Sequence, residues 1–434
     1  MTDPLDGEEK VAVEMVQPVA RGCQIREPSE RAIRLEQMRP VLSHVKRRAT
    51  NEGWVSIDEP SGEHRPVEWS KVCMYDVLAY VVKPATRPRR CALVELMASG
   101  PQKPHWFTSH WWGQPFVDTV ACLEQHARDR SLHINKGCYW ICAFAICQWD
   151  LAAHSAIDPF RSPFYAALKT AEGVVSIVDG PNKGCGTCAL AFGRLWVDFE
   201  AAIALMWHED EGYLYDIYTP CVHRLEGEDV HPPHGLKEAS TFVIRHGGKA
   251  REKRFAVGLT DPFAPLELGL RGICAKQYES AKEQAYRQSY FPSEILVQAL
   301  ASDLETATVT VDADRARLLN AMALHYNMAL EEKAQAKSSQ VKSGSHGGGS
   351  GGGSKAAGHA AAGKKRRDSR STRDTKEKDQ SLSNMVYPLR HLPHRRPLSK
   401  AELEAEPPAT HPAYGRFSGA IRSRFATQVS QQVS

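Results

Sequence analysis

Four short apolar runs, separated by segments of helical spacing, constrain this chain more than anything else in it. They are His105 to Ser109 (HWFTS), Tyr139 to Phe144 (YWICAF), Val174 to Val178 (VVSIV) and Tyr213 to Tyr218 (YLYDIY). Each reads as a buried strand. Between the first two, Phe116, Val120, Leu123 and Ala127 recur at helical intervals. Ser162 to Thr170 supplies a shorter middle helix, and Trp196, Phe199, Ile203 and Met206 repeat before the last run. This is a βαβ succession, and its crossovers imply a parallel sheet of at least four strands. A ligand site in such a sheet lies beyond the carboxyl ends of the strands.

The flanks are less regular. Residues 1–27 lack periodicity and are expected to be disordered, and Glu30 to Arg48 reads as a charged amphipathic helix interrupted by Pro40. Ser70 is the expected N-cap of a helix with Val72, Tyr75, Leu78 and Val82 on one face, stopped before Pro84, and Cys91 to Ala98 follows as a second short helix. Beyond Cys221, Thr241 to Arg245 and Phe255 to Leu259 read as strands that extend the sheet or form a flap. Cys274 to Tyr290, Ser293 to Leu304 and Asp312 to Lys333 carry helical patterns, and Ser343 to Ser354 is a Gly/Ser coil. The expected division is an N-terminal segment over 1–64, an α/β domain over 65–265, a helical appendage over 266–335, and a linker with a basic disordered tail over 336–434.

Charge and cysteine content exclude several classes. The net charge of +4 hides a tail from Lys355 onward with sixteen Lys plus Arg against seven Asp plus Glu. The tail's Lys364 to Arg367 (KKRR) suits a nuclear import signal or a polyanion contact, and a merely solvating tail is the equal alternative. No stretch reaches the roughly 18 to 20 apolar residues of a membrane helix, and the acidic N-terminus differs from a secretory signal. The eleven cysteines sit largely in apolar runs such as Cys138 to Cys147, as free thiols of a reducing compartment do. A cytoplasmic location, with nuclear import as an option, is the expectation. Cys185 and Cys188 form the one close CxxC, without the further ligands that structural zinc needs.

Two constellations could carry chemistry. Ser109, His110, Trp111 and Trp112, with Gly113, Gln114 and Pro115, sit where the first strand runs into its helix, at the rim where ligands bind. They make either a pocket wall or a well-packed corner. On the helix after the third strand, Trp196, Phe199, Ile203 and Trp207 share a face, with Glu200 at its side and Asp198 directed away. A carboxylate beside tryptophans is desolvated and its pKa raised, as in an acid or charge stabiliser; the alternative is a boundary residue paired to a base such as Arg194. The glycine-rich loop Asp179 to Cys188 fails the GxxxxGK[ST] pattern and is no triphosphate cradle.

A first strand ending in Phe107-Thr108-Ser109-His110, and a helix after the third strand bearing Trp196 and Glu200, resemble the TIR family. There the helix motif is often Trp-Cys-x-x-Glu, and Val197 here replaces the Cys. The run from Trp69 to Leu205 is also similar to a group of uncharacterised protist proteins with an SHWWGEP-type motif, with Gln114 where Glu is usual. The resemblance implies a flavodoxin-like, TIR-like parallel sheet flanked by helices. It also implies one of two activities: cleavage of the nicotinamide–ribose bond of NAD, or noncatalytic self-association in signalling. In the first, Glu200 would stabilise the ribosyl cation, and Ser109, His110, Trp111, Trp112 and Trp196 would line the substrate site. NAD would be substrate rather than cofactor, with no metal, and a homo-oligomer would complete the site.

Overall fold

The computed structural model describes residues 24–57, 66–150, 158–180, 190–224, 242–246, 249–261, 291–344 and 396–433. The strands are β1 (Ile33–Arg34), β2 (Trp106–His110), β3 (Cys138–Trp140), β4 (Gly173–Ile177), β5 (Leu214–Arg224), β6 (Phe242–His246) and β7 (Lys249–Leu259). The principal helices are α1 (Leu35–Glu52), α2 (Phe116–Asp129), α3 (Pro163–Thr170), α4 (Leu195–Glu211), α5 (Ser293–Leu300), α6 (Asp312–Gly344), α7 (Lys400–Glu404) and α8 (Pro412–Val433).

The protein is α/β. Among the described residues seven strands form one sheet, in the order β1-β3-β2-β4-β5-β7-β6. The four expected strands form the parallel centre, with Phe107 opposite Trp140, Ser109 opposite Ser176, and Ser176 opposite Ile217. β7 and β6 extend this sheet in antiparallel register rather than forming a separate flap. Strand alternation divides the core in two. Trp106, Val175, Ile177 and Tyr218 face α1 and α2, whereas Phe107, Val174, Tyr215 and Ile217 face α4 and the C-terminal helices. The chain leaves β2 toward β3 and leaves β4 toward β5, in opposite directions. The crevice between the carboxyl ends of β2 and β4 is therefore the topological switch point.

Several expectations need correction. The strand expected over Tyr139 to Phe144 stops at Trp140, and Cys142–Ala145 forms a helical turn that brings Cys142 to the rim. The compact region does not begin after residue 64: Ile25, Met38, Val41 and Val45 are buried in the α1–α2 core, and β1 pairs with β3. Pro40 lies within α1 without ending it. Ser70 is buried in a 3₁₀ turn, and the helix after it starts at Met74, where the Asp76 carboxylate accepts from the Cys73 N–H at 3.0 Å. Pro84 does not stop that helix either. A wider π turn over Leu78–Val82 precedes it, and the Tyr80 carbonyl, which proline's missing N–H leaves open, accepts from Arg48 Nη1 at 2.9 Å.

The tail is the largest correction. In α8, Tyr414, Phe417, Ile421 and Phe425 recur at helical spacing and are buried against α4, α5 and α6. Composition over the whole tail dilutes this stripe, so a low apolar fraction concealed a docking helix. Arg422 donates twice to the Ser302 carbonyl, and Arg424 pairs with Asp261. The expected helix over Cys274 to Tyr290, the residues Cys185 and Cys188, and Lys364 to Arg367 lie outside the described residues.

Candidate functional site

The switch point holds a carboxyl–hydroxyl pair. Ser109 is the penultimate residue of β2 and its side chain faces α4. Glu200, on the second turn of α4, accepts a hydrogen bond from it: Ser109 Oγ donates to Glu200 Oε2 at 2.5 Å. Ser109 is fully buried and Glu200 is 7% exposed. Burial pushes the Glu200 carboxyl up to about 8, while the Ser109 bond works in the opposite direction. At neutral pH the carboxyl is therefore mostly protonated and ionises just above neutrality.

The corner 110–115 straddles the end of the sheet. Trp111 lies on the α4 side, its ring laid over Gly113, where an added Cβ would meet Cζ2 at 2.3 Å. The Arg194 guanidinium, at the N-cap of α4, sits 5.6 Å from the Trp111 ring centroid. Trp112 belongs to the other core, and its indole N–H donates to Cys142 Sγ at 3.3 Å. Burial pushes the Cys142 thiol up to about 12, and the nearby Glu200 charge adds to that shift. Ser109 at the end of β2 thus bonds Glu200, and Cys142 just past β3 lies close enough to feel its charge, with Trp111 and Trp112 following Ser109 on the two sides of the sheet.

His110 and Trp196 fall elsewhere. Alternation turns His110 to the α2 face, opposite Ser109. Its ring is buried, and desolvation lowers its pKa to about 4, so it is neutral near pH 7. Among the described residues its Nε2 has no hydrogen-bond partner, and neither does the buried Gln114 amide. Trp196 stacks on Phe164 at 5.4 Å, and its Nε1 donates to Asp314 at 3.0 Å, so it ties α4 to α6.

Helical spacing did not reveal the position of Asp198. Directed away from the sheet, it is nevertheless fully buried, because α8 covers the outer face of α4 and Ser302, just past α5, lies beside it. Burial raises its pKa well above the ordinary carboxyl range, with Ser302 beside it and Asp303 adding a like charge. A second buried network lies on the α2 face. Asp216 accepts from Arg130 Nε at 2.6 Å and contacts His126 Nε2 at 3.1 Å, while His126 Nδ1 meets the Tyr139 hydroxyl at 2.8 Å. Although burial alone would raise it, Arg130 and His126 hold the Asp216 carboxyl down at about 2. These groups satisfy one another and fasten α2 to the sheet.

Among the described residues no cluster of His, Cys, Asp and Glu could hold a metal ion, and no helix is long and apolar enough to cross a membrane. Comparison of the chain with family models, with curated proteins and with solved structures returned no match.

Proposed function

We propose that the chain is a TIR-like domain that cleaves the nicotinamide–ribose bond of NAD at Glu200, acting as an oligomer. The observation that carries this reading is the Ser109–Glu200 pair at the switch point of the sheet. The order of the parallel strands, second-first-third-fourth along the chain, is that of flavodoxin-like sheets; the antiparallel β7 departs from it. Loss of nicotinamide leaves a ribosyl cation, which water captures to give ADP-ribose and a proton. A carboxylate held in a dry site stabilises that cation far better than one in bulk water. The positively charged nicotinamide ring, on arrival, would itself draw the Glu200 pKa down and ionise the group at the moment it is needed. Ser109 orients the carboxyl, and Trp111 and Trp112 offer faces for the rings of the dinucleotide.

A noncatalytic assembly module is the rival reading, favoured by the hydrogen-bonded burial of Glu200, which also suits a purely structural acid. Incubating the purified, assembled protein with NAD and measuring free nicotinamide separates the two. Release that is lost in Glu200→Ala supports cleavage; no release, or undiminished release in the variant, refutes it.

A further inference from the structure

Cys91 and Cys147 meet where the helical run 74–86 and its following turn approach the chain beyond β3. Arg90 adopts a φ of 45°, in the left-handed region, and its carbonyl accepts from Cys147 Sγ at 3.3 Å. Its guanidinium grips the same segment, with Nη2 3.5 Å from the Trp149 carbonyl and the cation 5.3 Å from the Trp149 ring centroid. From the other side, Trp149 Nε1 donates to Thr86 Oγ1 at 2.9 Å. Since the Arg90 carbonyl carbon is bonded to the Cys91 nitrogen, the Cys147 sulfur lies within about 6 Å of the Cys91 α-carbon. A disulfide joins α-carbons about 4.4 to 6.8 Å apart, and the Cys147 α-carbon lies a further roughly 2.8 Å past its sulfur, so bridging combines a side-chain rotation with an approach of the two turns by up to about 2 Å. The two thiols are already near enough for the Cys147 charge to act on Cys91. Both thiols are free and only partly buried.

We propose that Cys91 and Cys147 form a reversible disulfide, a redox modification that staples the turn after β3 to the end of the 74–86 helical run. The oxidant is a low-molecular-weight disulfide such as oxidised glutathione. The Cys147 thiolate attacks one of its sulfurs and expels a thiolate, which leaves a mixed disulfide on Cys147. The Cys91 thiolate then attacks the Cys147 sulfur and expels the second thiolate. Two protons pass from the cysteines to the departing thiols, and the small disulfide is reduced as the protein's is formed. Burial pushes the Cys91 thiol up to about 11, which suits the second, intramolecular attack rather than the first. The stapled turn begins at Cys142, the thiol that accepts from Trp112 beside Glu200. Any effect on that site rests on the reading of Glu200 above, whereas the bond itself does not.

The test is to equilibrate the full chain in graded mixtures of reduced and oxidised glutathione, alkylate the remaining thiols and map the peptides without reduction. The expected result is a species joining residues 91 and 147, lighter by the two hydrogens lost. It should grow with the oxidised fraction, disappear with dithiothreitol, and be missing from Cys91→Ser and Cys147→Ser. Separate glutathione adducts on the two cysteines, no modification of either, or equal joining of either to other cysteines would overturn the proposal.

Discussion

The Ser109 hydroxyl reaches the Glu200 carboxyl across 2.5 Å and so links the end of the first parallel strand to the helix that follows the third. This contact makes Glu200 a poised acid rather than an ordinary surface carboxylate, because the bond offsets part of a large desolvation penalty. Without the hydroxyl, only the penalty remains.

Nicotinamide release should therefore rise with pH. For kcat/KM, which reports the free protein, half of the maximum is expected near pH 8, where Glu200 ionises. In Ser109→Ala the midpoint should move to higher pH, since the bond that favours the carboxylate is gone. A flat profile, or a midpoint near that of a free carboxyl, would separate the activity from Glu200.

Stability should show the same group with the opposite sign. The folded Glu200 pKa is raised from 4.5 to about 8, so its contribution is fully present below pH 4.5 and is lost as pH rises through 8. Glu200→Gln cannot ionise, so it should match the parent at pH 4 and exceed it by roughly 4 to 5 kcal/mol at pH 9, since a tenfold change in proton affinity is worth about 1.4 kcal/mol. Denaturant unfolding at the two pH values measures the difference.

Docking of α8 should depend on its aromatic stripe. Phe417 stacks on Phe199, one residue before Glu200, at 6.0 Å and 10°. Phe417→Ala should cost about 3 to 5 kcal/mol and expose α8 to protease at denaturant concentrations where the parent resists. Unchanged protection would place the helix outside the cooperative core.

Arg48→Met should be costly even though methionine keeps much of the aliphatic stem. It removes the donor to the Tyr80 carbonyl, the 2.7 Å pairing with Glu52 and the cation over Trp54. A loss of about 1 to 3 kcal/mol is expected, read as a lower midpoint in urea. A loss below that range would mean that another group satisfies the carbonyl.

Much of this was readable from local pattern. The four central strands occur within a residue or two of their expected starts, because buried parallel strands and amphipathic crossovers both leave periodic traces. Helical spacing put Glu200 at the side of the Trp196–Phe199 face and so suggested a desolvated carboxyl, but its partner is Ser109, while Trp196 packs on Phe164. What escaped depends on partners remote in sequence. Nothing near Pro84 announces that Arg48 will satisfy Tyr80, and nothing near Asp198 announces that Ser302 and α8 will cover it. The α8 stripe was visible in principle, in the spacing of Tyr414, Phe417, Ile421 and Phe425. His110 was misplaced because adjacency in a strand means opposite faces, so Ser109 and His110 cannot both turn toward Glu200.

The most direct measurement is the titration of the Glu200 carboxyl itself, followed by its carbonyl infrared band or by carboxyl NMR, with Glu200→Gln identifying the signal. A midpoint near pH 8 that rises further in Ser109→Ala is the expected result. A midpoint near 4.5, unmoved by loss of the serine, would show a solvated acid and remove the basis for chemistry at this site.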